Sequence, residues 1–118
     1  MISLSNRVHT FARPAHKEAL TDFFTNILEA QVVQIPGTSM LAFRFPDNSS
    51  YSVEFTEDAL NEQQARRGAW LELKTDDPEA LKKKVLDAGF LQVEYLTGRF
   101  YFQAPGGQVW GILSTDKP

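Results

Sequence analysis

The apolar positions of this chain follow two periods that alternate along it. Between residues 14 and 28, Ala19, Leu20, Phe23, Phe24, Ile27 and Leu28 recur at steps of three and four, which lines one face of an amphipathic helix. A second helix is predicted to start at Asp77-Pro78, a capping residue followed by proline at the first helical position. It ends near Gly89, after Leu81, Val85, Leu86 and Ala88. Runs rich in β-branched and aromatic residues predict strands at 7–12, 31–35, 40–45 and 51–55, and again at 70–74, 91–95, 99–103 and 109–113. Turns are marked by Thr97-Gly98 and Pro105-Gly106-Gly107. Each half therefore reads strand, helix, three strands.

The halves also share residues. Glu18-Ala19-Leu20 returns as Glu79-Ala80-Leu81, and Gln31-Val32 returns as Gln92-Val93, both displaced by 61 positions. One displacement kept across a helix and a strand indicates a duplicated βαβββ module. The polar stretch 57–68, with Asn61-Glu62-Gln63-Gln64, reads as the linker between a first module of about 5–56 and a second of about 69–115, within one domain of residues 1–118. The expected fold class is α+β. A four-stranded module has one face covered by its helix and the other bare, so two modules forming a curved mixed sheet would enclose a cleft.

Charge and composition narrow the chemistry. Twelve Lys and Arg against fifteen Asp and Glu give a net charge of −3, with no basic field for a phosphate backbone, so nucleic acid is not expected as a partner. Lys82-Lys83-Lys84 lies within the second helical pattern and reads as a solvated face. The chain has no cysteine, which excludes disulfides, thiolate metal sites and thiol nucleophiles. No apolar run has the length of a bilayer span or a signal sequence, so no membrane association and a cytoplasmic location are expected.

The stretch Phe100-Tyr101-Phe102-Gln103-Ala104-Pro105-Gly106-Gly107-Gln108-Val109-Trp110 resembles the closing hairpin of the vicinal oxygen chelate superfamily, which includes glyoxalase, fosfomycin-resistance enzymes, extradiol dioxygenases, methylmalonyl-CoA epimerase and bleomycin resistance proteins. Ala104 stands where that hairpin commonly has Asp. The likeness covers nearly the whole chain. In metal-using members each module supplies one ligand from its first strand and one from its last. Arg7-Val8-His9-Thr10 resembles the first-strand histidine motif, and Ser52-Val53-Glu54-Phe55 the last-strand carboxylate motif. The resemblance thus places His9 and Glu54 at two ligand positions. In the second module the displacement brings His9 onto Trp70, and setting Ser50 on Gly107 brings Glu54 onto Gly111. Neither replacement carries a ligand atom. Glu72, two residues from Trp70 on the same strand face, is the candidate third ligand.

Strand alternation then assigns faces. With His9, Glu54, Trp70 and Gly111 pointing into the cleft, Arg7, Phe11, Ser52, Glu72 and Val109 join them, while Val8, Val53, Phe55, Leu71, Leu73, Trp110 and Ile112 face the helices. On the third strands Leu41, Phe43, Phe45, Phe100 and Phe102 take the helix face and leave Arg44, Tyr101 and Gln103 for the cleft. The expected ligand-binding set is Arg7, His9, Arg44, Glu54, Trp70, Glu72, Tyr101 and Gln103, a wall suited to a flat or anionic organic molecule. His9 and Glu54 are either a hydrogen-bonded structural pair or a general acid–base pair. Trp70 either fills the former metal position or stacks on a ligand.

Two main functions follow. The first is metal-independent binding of a small organic molecule, with no cofactor, as the resemblance to bleomycin resistance proteins implies. The alternative is a lyase, isomerase or dioxygenase using Fe, Mn, Ni or Zn through His9, Glu54 and a third ligand. A non-catalytic protein-interaction module is a third reading, and the resemblance implies a homodimer.

Overall fold

Each half of the chain builds one four-stranded mixed sheet with its own helix. The computed structural model describes residues 1–95 and 98–116; the expected turn residue Thr97 lies outside them. Two units, Met1–Ala59 and Leu60–Pro118, divide within the expected linker. In the first unit, strands β1 (Arg7–Ala12), β2 (Gln31–Gln34), β3 (Met40–Arg44) and β4 (Ser50–Phe55) are ordered β1-β4-β3-β2. In the second, β5 (Leu71–Thr75), β6 (Leu91–Val93), β7 (Tyr101–Gln103) and β8 (Val109–Ser114) are ordered β5-β8-β7-β6. The outer pairs β1/β4 and β5/β8 are parallel and the remaining pairs antiparallel. The fold is α+β, with two tandem βαβββ modules.

Alternation sets the burial. Tyr51, Val53 and Phe55 of β4 are buried while Ser52 and Glu54 between them are partly open, and Leu41 and Phe43 are buried on β3 while Arg44 is exposed. The buried faces close on α1 (Lys17–Asp22), which is entered by a 3₁₀ turn at Pro14–His16 and continues as a π turn at Phe23–Ile27. Phe24 is the centre of this core. Its ring stacks on Phe43 at 4.4 Å and on Tyr51 at 4.9 Å, and full burial of one such side chain stabilises by roughly 1.5–3 kcal/mol. In the second unit α3 (Pro78–Asp87) is capped by the Asp77 carboxylate, which accepts from the Ala80 N–H at 3.1 Å. It covers Phe102, Trp110 and Ile112, all buried with Val85.

The repeat holds in the strand pairing. Glu54 of β4 stands between Phe11 of β1 and Met40 of β3, and Gly111 of β8 stands between Glu72 of β5 and Tyr101 of β7. The displacement is 61 for Phe11 and Met40 and 57 for Glu54, as the sequence alignment of Ser50 with Gly107 requires. The repeated Gln-Val dipeptide, however, is out of structural step: Gln34 pairs with Leu41 and Gln92 with Phe102, 61 residues after Leu41, so these strands match at a displacement of 58. Phe24 and Val85, 61 apart, are both fully buried, but the residues that leave the two helices with positive φ are Glu29 (φ 59°) and Gly89 (φ 84°), which are 60 apart. The π turn supplies the first of the extra residues: Leu28 N–H reaches back five residues to the Phe23 carbonyl at 3.1 Å. Thr21 and Thr25 hydroxyls donate to the carbonyls of Lys17 and Thr21 there, and such back-bonding loosens the helical ladder. The pairing makes Val33, opposite Ala42, the counterpart of Leu91, opposite Gln103.

The expected linker is not featureless. Residues Glu62–Ala65 form a one-turn helix, α2, with a reciprocal cap: the Asn61 side chain accepts from the Gln64 N–H at 2.8 Å and the Gln64 side chain accepts from the Asn61 N–H at 2.9 Å.

Candidate functional site

On the first sheet, the face turned from α1 carries Arg7, His9 and Phe11 from β1, Ser52 and Glu54 from β4, and Arg44 from β3. The parallel register sets His9 beside Ser52 and Phe11 beside Glu54. His9 Nδ1 lies 2.8 Å from the Ser52 hydroxyl, and that hydroxyl donates to the Val8 carbonyl at 3.4 Å. In this network Nδ1–H donates to Ser52, which leaves Nε2 as the acceptor on the open face. The imidazole is also held edge-on to Phe11, with ring centroids 5.0 Å apart. The expected His9–Glu54 hydrogen bond is thus replaced by His9–Ser52, because the two residues are one diagonal step out of register. Glu54, flanked by Phe11 and Met40, makes no side-chain hydrogen bond among the described residues. Arg7 and Arg44 are exposed at the end of the sheet where both pair with Ser50.

The corresponding face of the second sheet is aromatic. Trp70, just before β5, contacts Tyr101 with centroids 5.0 Å apart and Tyr95 at 5.1 Å, the latter edge to face. Beneath Tyr101 is Gly111: a Cβ built there would lie 3.0 Å from Tyr101 Cε1 and 3.7 Å from Glu72 Cγ. The tyrosine ring therefore lies where a last-strand side chain would emerge. Glu72 pairs with Arg99 at 3.3 Å, both about half exposed, an arrangement that contributes little to stability but sets a carboxylate and a guanidinium beside the rings.

Gln103 is a correction. Expected in the ligand wall, it is only 5% exposed, and its amide is taken up by Arg66 and by the carbonyls of Glu62 and Gly107. Its neighbour across the strands, Val109, is fully buried on the same face. The α2 turn covers this end of the sheet, which sequence reasoning left bare. Tyr95 and Arg99 were also missed; the residues between β6 and β7 have no alternation to place them. The signal for α2 was legible as Asn61 followed three residues later by Gln64.

The donor set can be tested against a divalent metal. His9 Nε2 and the Glu54 carboxylate are two donors on one sheet. At the two second-module positions where the resemblance expects ligands, Gly111 has no side chain and the Trp70 indole is a donor only, bonded to the Arg66 carbonyl at 2.9 Å. Glu72 is engaged by Arg99. Among the described residues no group of three or more His, Cys, Asp or Glu is placed to hold an ion, whereas catalytic centres take three or more protein ligands. These residues do not fit such a centre. Nor is any helix of the described residues long and apolar enough to cross a membrane.

No family model matches the chain, and no curated protein matches it in sequence. Solved structures match over almost its whole length. A possible glyoxalase from Bacillus cereus superposes with a TM-score of 0.71 at 13% identity, covering 95% of this chain and 99% of its own. The fosfomycin resistance protein FosX from Listeria monocytogenes gives 0.75 at 13% identity over 96% and 91%. An integron cassette protein from the mobile metagenome of V. cholerae gives 0.70 at 18% over 98% and 97%. At such identities the likeness concerns the fold.

Proposed function

We propose that this chain, whose fold is that of the glyoxalase-like and fosfomycin-resistance proteins of the vicinal oxygen chelate superfamily, binds a small flat organic molecule without a metal. The observation that carries this reading is the cluster of Trp70, Tyr95 and Tyr101, with Tyr101 lying over Gly111, the position at which the resemblance expects a metal ligand. An aromatic surface with a half-exposed Tyr101 and an exposed Tyr95 offers ring faces for stacking. Arg99 and Glu72 at its edge supply one charge of each sign, and a ligand carboxylate can compete with Glu72 for the guanidinium through a charge-assisted hydrogen bond. The Trp70 N–H is already satisfied by Arg66, so the indole presents its ring rather than a polar group.

The test is a calorimetric titration with a planar aromatic carboxylate, 1-naphthoate. Binding is expected to be unchanged by EDTA and to weaken about tenfold in Trp70→Ala, the scale of one lost aromatic pair. Equal affinity in the variant, or affinity abolished by EDTA, would contradict the reading.

A further inference from the structure

We propose that Gln103 is a positioning residue for the aromatic surface, acting on Trp70 through Arg66. The carboxamide touches both ends of one helical turn. Its Nε2 donates to the Glu62 carbonyl at 2.7 Å and to the Gly107 carbonyl at 2.9 Å, and its Oε1 accepts from Arg66 Nε at 2.7 Å. All three polar valences that point inward are used, at a site only 5% exposed, where an unpaired group would be costly. The same Glu62 carbonyl accepts the Arg66 N–H at 3.3 Å, closing the turn. The Arg66 carbonyl at the end of that turn then accepts the Trp70 indole N–H. One side chain of β7 thus holds α2 on the β7–β8 turn, and α2 in turn presents the only polar contact that orients Trp70 among the described residues.

Two further features support a built contact. Gly107 has φ +103°, and a Cβ there would fall 2.8 Å from Ala65 Cβ and 3.5 Å from Glu62 Cα. The turn and the helix approach as closely as they do because position 107 lacks a side chain. The counterpart of Gln103 in the first module, 61 residues earlier, is Ala42, which has no amide. The arrangement belongs to the second sheet alone, the one that carries the aromatic surface.

The experiment needs no ligand, so it can succeed or fail independently of the binding reading on which its functional meaning rests. Of the two tryptophans, Trp110 is buried in the core, and the Trp70 signal is defined as the fluorescence lost in Trp70→Phe. Gln103→Leu, close in volume and without polar atoms, is expected to shift that signal to the red and make it more readily quenched by acrylamide, with the far-ultraviolet circular dichroism retained. Arg66→Met, which keeps the aliphatic stem and removes the Nε donor to the Gln103 Oε1, is expected to do the same. This second variant decides the matter if Gln103→Leu does not fold. Unaltered Trp70 emission in folded Gln103→Leu, or in Arg66→Met, would overturn the proposal.

Discussion

Tyr51 shows what a single buried group does to the balance of this fold. It lies against Phe24 in the first core, and burial pushes its phenol up to about 12 from 10.0, against a smaller opposing effect of a hydrogen bond with Thr10. The unfolded chain releases this proton near the ordinary value and the folded chain only near pH 12. Stability is therefore fully present below about pH 10 and falls as pH rises from there to about 12, by on the order of 2–3 kcal/mol at about 1.4 kcal/mol per unit. Urea unfolding midpoints measured across that range should fall more steeply for the wild type than for Tyr51→Phe; parallel curves would refute the assignment. The same scale of reasoning separates the two carboxylate positions. Glu54 is paired with Met40, whereas a side chain at Gly111 would meet the Tyr101 ring, 3.0 Å from its Cβ.

At the scale of elements, the two helices differ by one residue, and the difference was not legible from periodicity. A π turn keeps the apolar face of Phe23, Phe24 and Ile27 nearly on course while inserting a position. Its exit is strained in a way the second helix avoids. Glu29 adopts φ 59°, where Gly89 stands in the other module, and a left-handed conformation costs a side chain about 1–2 kcal/mol, partly offset by the flexibility glycine would add. Glu29→Gly is expected to raise stability by about 0.5–1 kcal/mol in denaturant unfolding; a loss would mean that the exit conformation is not the one described. The α2 turn was hidden for another reason. Four residues are too few to show a period, and only the Asn61–Gln64 spacing marks it.

For the whole molecule, the alternation of Tyr51, Val53 and Phe55 with Ser52 and Glu54 made the faces of each sheet readable, since a strand buried on one side must repeat every second residue. The displacement of 61 made the second module readable from the first. The partner of His9 was beyond reach, because it depends on the parallel register that sets His9 beside Ser52, and no pattern within either strand specifies that register. The role of Gln103 was equally hidden, since it depends on a chain segment folding back over the sheet. The central proposal is that this chain binds a small molecule on the aromatic surface of Trp70, Tyr95 and Tyr101 without a metal. The most direct measurement is metal content by mass spectrometry, on untagged protein dialysed in turn against Mn, Fe, Ni and Zn and then freed of loose ions. Metal far below one ion per chain, the same in His9→Ala, is the predicted result. Near-stoichiometric metal that disappears in His9→Ala would contradict it and return His9 and Glu54 to the role of ligands.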